Sequence, residues 1–188
     1  MKYYPDDVKL YLIASNWEAV SSEQAFVKRC SECRDEIGSK LICARIAECL
    51  MRVCFLCTNT YAPYSKWFST AFDHPDIDDV IKRTIKKALS ADNPIERKDK
   101  LVRAQALVAD IHNKSRLTFF VENKIENYFG RDIKVIFADK LVDATVNSLK
   151  NTPFKNVPLI GTFSQFGGLS FFSDEKQFYG RIAKPYKE

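Results

Sequence analysis

Apolar residues recur at helical spacing through most of this chain. After Pro5-Asp6-Asp7, the residues Val8, Leu10, Leu12, Ile13 and Trp17 give one amphipathic face, which predicts a helix from about residue 6 to Val20. Proline in the first turn and acids at the positive end of the helix dipole suit that start. Ser21-Ser22-Glu23 is expected to open a second helix, running through Phe26 and Val27 to about Asp35, with Ile37-Gly38-Ser39 as its break. Ser39 is then expected to cap a third helix ending near Thr60. Its residues Leu41, Ile42, Ile46, Leu50, Met51, Val53, Cys54, Phe55 and Leu56 are apolar on nearly every side, the pattern of a central helix wrapped by others.

Beyond it, Pro63 is expected in the first turn of a short helix that passes Trp67 and ends at Phe72. Residues 73–76 read as a turn, and Asp78 to Leu89 as an amphipathic, basic helix. Asn93 and Pro94 supply a cap and a first position. The pattern that follows predicts a helix to about Phe129, kinked near Asn113 and stopped by Gly130. Lys134 to Phe137 is a short β-like run, and Asp139 to Leu149 a final helix. The expected fold is therefore all-α or nearly so. It is a bundle of about six to seven helices over residues 1–150, with a β-like segment near 133–137. Residues 151–188 form an irregular tail packed on the same domain.

Composition fits this class. Hydrophobic residues make up 46% of 188, aromatics 13%, while Gly (6) and Pro (7) are scarce. A core of that size folds without disulfides or metals. The net charge of +5 is a mild excess, compatible with an anionic ligand but too small and too dispersed for a dedicated nucleic-acid binder. No apolar run reaches the length of a membrane span. The N-terminus lacks the pattern of a secretory signal. A cytoplasmic location is expected, with the six cysteines mostly reduced.

Several residue groups carry potential chemistry. Cys30-x2-Cys33 and Cys54-x2-Cys57 have nearly the spacing of a four-cysteine zinc site. Zinc requires four thiolates at about 2.3 Å, however, and both pairs fall in helical context, so packing thiols are the expectation. Cys43 and Cys49 read as small core residues. Asp76 and Asp78 resemble a metal-binding acid pair but stand at a helix start, where acids serve the dipole. Gly38-Ser39 is read as a helix break. His74 is expected in a turn and His112 on a helix surface. Lys82, Arg83, Lys86, Lys87, Arg97, Lys98, Lys100 and Arg103 form a basic region interleaved with acids, which suits a solvated face. The segment Tyr61-Ala62-Pro63-Tyr64-Ser65-Lys66-Trp67 is the most unusual. Its aromatics could stack on a base or sugar and its lysine could hold a phosphate. The alternative is a packed corner whose polar tips cap neighbouring helices.

A resemblance enters through particular segments. Tyr4-Pro5-Asp6-Asp7-Val8 with Trp17, Gly38-Ser39-Lys40-Leu41, Leu50 to Leu56, Tyr61 to Phe68, Val135 to Asp139 and Ile160 to Phe166 resemble a bacterial domain of unknown function. That domain follows an N-terminal nucleotidyltransferase-like domain. The resemblance implies that the chain begins where a catalytic domain would end. It implies an accessory or substrate-binding helical domain that is not catalytic alone. Tyr61, Tyr64 and Lys66 are its implied nucleotide or substrate contacts, with Trp67 beside them and Arg45 and Arg52 in support. Magnesium and a nucleoside triphosphate would bind only with a catalytic partner domain, in cis or in trans. The rival expectation is a non-catalytic protein-interaction or dimerisation module, such as a homodimer. Arg52, on an otherwise apolar helix, is expected to find an acid on a neighbouring helix.

Overall fold

The computed structural model describes residues 3–74, 76–150 and 152–162. The helices are α1 (Asp6–Glu23), α2 (Phe26–Glu32), α3 (Glu36–Cys57), α4 (Phe68–Phe72), α5 (Asp79–Ser90), α6 (Pro94–Ser115), α7 (Asp139–Asn147) and the single turn α8 (Thr152–Lys155). Two-residue strands β1 (Glu126–Asn127) and β2 (Lys134–Val135) form an antiparallel hairpin, Glu126 opposite Val135. This is the helical bundle that the pattern predicts, with its β-like segment in place.

α3 is the central element and packs on α1, α2, α5 and α6. Its residues Ile42, Cys43, Ile46, Ala47, Leu50, Val53, Cys54 and Phe55 are buried. α1 contributes Ile13, Trp17 and Val20, and α6 contributes Leu101, Ala104, Val108 and Ala109, to one continuous core. Ala25, Ile133 and Val135 make a smaller cluster beneath the hairpin.

Local chemistry explains the helix starts. Asn93 accepts hydrogen bonds from the amides of Ile95 and Glu96, with Pro94 at the first position of α6. Asp78 accepts from Val80 N at the start of α5. Both caps satisfy amides that have no partner within the helix.

Four expectations are corrected. Ser21 and Ser22 do not open a second helix; α1 continues through them to Glu23. Ser39 is not a cap: Asp35 accepts from Gly38 N at 2.8 Å, and Ser39 lies buried inside α3. No helix starts at Pro63; residues 60–64 are non-helical, and a single 3-10 turn over Ser65–Trp67 leads into α4. Finally, α6 ends at Ser115, where Arg116 takes a left-handed conformation (φ 55°), well short of Phe129. Asn113 then holds Val121 through both its amide oxygen and nitrogen, and Asn123 donates to Ala106 O, so the chain folds back along α6.

Residues 152–162 lie against α1. Tyr11 donates its hydroxyl to Pro158 O at 2.9 Å, and its ring meets that of Phe154. The remainder of the expected tail, residues 163–188, lies outside the described residues.

Candidate functional site

The site is assembled around the last two turns of α3 and the segment that leaves it. Tyr3, Tyr4 and Tyr61 form a three-ring cluster with centroids 4.8–5.0 Å apart. Tyr3 donates its hydroxyl to Thr60 O, tying the N-terminus to the end of α3. Burial beside the neighbouring tyrosines pushes the Tyr3 hydroxyl well above its ordinary pKa, so it stays a donor. Lys9 reaches Asn59 Oδ1 at 2.7 Å on the same side.

Tyr64 and Trp67 stand out from this corner, 57% and 50% exposed. The Lys66 ammonium lies over the Trp67 ring, 5.3 Å from its centroid. Lys66 is exposed and makes no ion pair among the described residues. Of the aromatic residues singled out in the sequence, Tyr61 is therefore engaged with other rings, while Tyr64 and Trp67 keep accessible faces.

Arg52 connects this corner to a second feature. Its guanidinium pairs with Glu48 at 2.7 Å and lies 4.9 Å from the Phe68 ring centroid. The expected acid partner is thus one turn earlier on the same helix, and the neighbouring element supplies a ring instead. Arg52 lines a small cavity of about 40 Å³ with Tyr3, Tyr4, Thr60 and Ala62. It also lines a groove of about 590 Å³ between α1 and α3. Arg45 lies in that groove too, held by Glu23 through Nη2 (2.6 Å) and Nε (3.0 Å). The hydrogen bond to Glu23 raises the Arg45 pKa further.

The groove follows from sequence spacing. Ser15, Glu18, Ala19, Ser22 and Glu23 share one face of α1, and Arg45, Glu48, Cys49 and Arg52 one face of α3. Leu159 and Ile160 close one side. Sequence reasoning missed Glu18, Glu23 and Glu48. Their i, i+4 relation to groove residues was visible, but not the pairing of α1 with α3 that brings them together.

The other candidates lie elsewhere. Cys33 caps the end of α2 just before α3, and Cys54 stands in the closing turns of α3, about 27 Å along that helix from its first residue, Glu36, at 1.5 Å per residue. Among the described residues no three His, Cys, Asp or Glu side chains converge as metal ligands. Burial pushes the Cys49 and Cys57 thiols up to about 12. Cys43 is core, but Cys49 is half-buried in the groove wall. Asp78 caps α5, and Asp76 faces His74 in the turn. His112 is not on a surface: it is fully buried between α6 and α1. In the basic region, Arg97 is buried and bonded to Glu36, Ser39 and Ala91 O, and Lys82 and Lys86 pair with Asp79 and Asp73. Among the described residues no helix is long and apolar enough to cross a membrane.

Residues 1–68 match the model of a family described as a domain of unknown function (DUF4037). The matched stretch contains α1, α2, α3 and the YAPYSKWF corner, and so nearly all of the residues assembled above. No curated protein and no solved structure matches the chain.

Proposed function

We propose that this chain is the substrate-binding helical domain of a nucleotidyltransferase-like protein, not catalytic on its own. The observation that carries the reading is the position of Arg52, which lines both the tyrosine corner and the α1–α3 groove. One cation between two concavities suits a domain that holds two reactants side by side. The nucleotide would lie on the exposed segment beside the tyrosine cavity, where Tyr64 and Trp67 offer ring faces and Lys66 an ammonium for phosphate; these three do not line the cavity itself. The groove would take the acceptor, with Arg45 and Arg52 on its wall; its volume is in the range of about 300–1,000 Å³ common for small-molecule sites. Magnesium and the attacking chemistry would come from a nucleotidyltransferase-like domain in cis or in trans. The family match over residues 1–68 is to a domain of unknown function and leaves the assignment to rest on the site geometry and on the resemblance of the YAPYSKWF segment.

Trp67 is the natural reporter, because Trp17 is fully buried. Titration with magnesium and each nucleoside triphosphate should quench Trp67 fluorescence, and Lys66→Ala should weaken the response about tenfold. If no triphosphate changes the emission, alone or with a catalytic domain present, the nucleotide reading is wrong.

A second reading has its own support. Phe119, Phe120 and Phe129 are 89%, 78% and 76% exposed, unusual for side chains of that size. These rings favour a protein-interaction or dimerisation module. Light scattering after size exclusion tests it: a dimer that Phe119→Ser with Phe120→Ser converts to monomer supports this reading, and a monomer at all concentrations removes homodimerisation.

A further inference from the structure

The charges around the α1–α3 groove are unequal in a way that selects a ligand. Arg45 is held by Glu23 through two nitrogens, and Arg52 by Glu48 through Nη2 (2.7 Å) and Nε (3.1 Å). Each guanidinium is thereby balanced by its own carboxylate. Glu18 remains. It is half-buried, receives only a long bond from Ser22 Oγ at 3.4 Å, and has no basic partner among the described residues. Among the described residues, then, Glu18 is the groove carboxylate left without a cationic partner, and it stands next to the groove's apolar wall. An anion entering here would meet guanidiniums already engaged and the Glu18 carboxylate unscreened.

The rest of the surface restricts the body of that cation. Ala19, Ile46, Leu159 and Ile160 line the groove with apolar area. The two wall hydroxyls are directed inside α1, Ser15 to Tyr11 O and Ser22 to Glu18. Hydroxyls of a polyhydroxylated ligand that lay on this apolar area would have no partner there, at a cost for each. Among the described residues of the groove a polycation would find one carboxylate without a basic partner.

We propose that the α1–α3 groove binds a small molecule with a single ammonium group on an apolar body, the ammonium pairing with Glu18 and the body lying on Ala19, Ile46, Leu159 and Ile160. Its identification as the acceptor rests on the reading of the preceding subsection; its binding does not.

The test uses the full chain and three probes of one shape: cyclohexylmethylamine, cyclohexylmethanol and cyclohexanecarboxylate. Affinities are read by nuclear magnetic resonance titration of groove-lining amides. The amine should bind at least about tenfold more tightly than either counterpart. Glu18→Gln should remove that advantage and leave the alcohol unchanged, while Ala19→Trp, which fills the groove from an exposed position, should abolish binding of all three. Equal binding of amine and alcohol by the unmodified protein overturns the proposal, as does preference for the carboxylate, absence of any probe binding, or an amine affinity that Glu18→Gln leaves intact. None of these outcomes involves Trp67 or a nucleotide, so failure here and failure of the nucleotide reading are separately visible.

Discussion

Trp17 donates its indole Nε1–H to Nδ1 of His112 across 2.9 Å, joining the middle of α1 to the last turns of α6 inside the core. With Nδ1 accepting, the neutral ring carries its proton on Nε2 and donates to Thr118 Oγ1 at 2.9 Å. Thr118 in turn donates to Phe119 O. The chain of donors is complete only while His112 is neutral, because a proton on Nδ1 would face the Trp17 N–H.

Acid should therefore destabilise this fold before its carboxylates titrate. Burial pushes His112 down from its ordinary 6.5 to about 4. The unfolded chain takes up the proton near pH 6.5, whereas the folded chain resists it until about pH 4, so stability falls as pH drops through that window. The full effect of such a shift is about 3 kcal/mol. Urea melts between pH 7 and pH 4 should show this loss, and His112→Gln should flatten it. An equal slope in that variant would assign the loss to other groups.

The second buried polar contact ties the start of α6 to the start of α3. Arg97, 1% exposed, donates to Glu36 through Nη1 and Nη2, to Ser39 Oγ, and to Ala91 O. The Glu36 side chain reaches solvent, but Arg97→Ala also leaves the buried Ser39 Oγ and Ala91 O without their donor, and it is expected to lose about 1–3 kcal/mol of stability in denaturant melts. Arg97 also holds the Glu36 carboxyl below the usual range. A depressed carboxylate contributes stability above its unfolded pKa and loses it as pH falls through the folded value. Below pH 4.5 the unmodified protein should thus lose stability that Arg97→Ala has already lost, which separates this step from that of His112.

The cap of α3 shows where a sequence can mislead. Gly38-Ser39 looks like a break and a cap, but the carboxylate of Asp35 reaches Gly38 N, and a Cβ at Gly38 would lie 2.7 Å from Asp35 Cγ. The glycine makes room for the cap and does not end a helix. Asp35→Ala should cost about 1 kcal/mol, comparable with Asn93→Ala at α6. Thermal melts of the two variants check this, and an unchanged midpoint for Asp35→Ala would restore Ser39 as the effective start.

The long helices were legible because their apolar periodicity is strong and their caps are local: Asn93-Pro94 and Asp78 lie within three residues of the amides they serve. The end of α6 was not. Leu117, Val121 and Ile125 continue a spacing of four that an extended segment satisfies as well as a helix does, and all three pack on the core from the irregular segment that returns along α6. What ends α6 is Arg116 in a left-handed conformation and the Asn113 side chain, neither marked by glycine. For the candidate site, Lys66, Tyr64 and Trp67 were visible as a local cluster. The groove depends on α1 pairing with α3 and on Leu159 and Ile160 returning from far along the chain, contacts that no local spacing encodes. His112 was misplaced for the same reason: its surroundings come from Trp17, 95 residues earlier.

Arg52 separates charge from packing at the junction of the two concavities. Its guanidinium touches Glu48 and the Phe68 ring, while its stem is largely covered on α3. Arg52→Met keeps most of the stem and removes the charge. Because Glu48 is exposed, the lost ion pair should change stability by about 1 kcal/mol or less. If Arg52 serves both concavities, the same variant should weaken the triphosphate response of Trp67 about tenfold. It should also strengthen amine binding in the groove, because Glu48 then becomes a second uncompensated carboxylate. Opposite shifts in the two titrations, in a variant that melts normally, would be difficult to produce by general unfolding. A parallel loss of both would mean that Arg52 acts through packing alone.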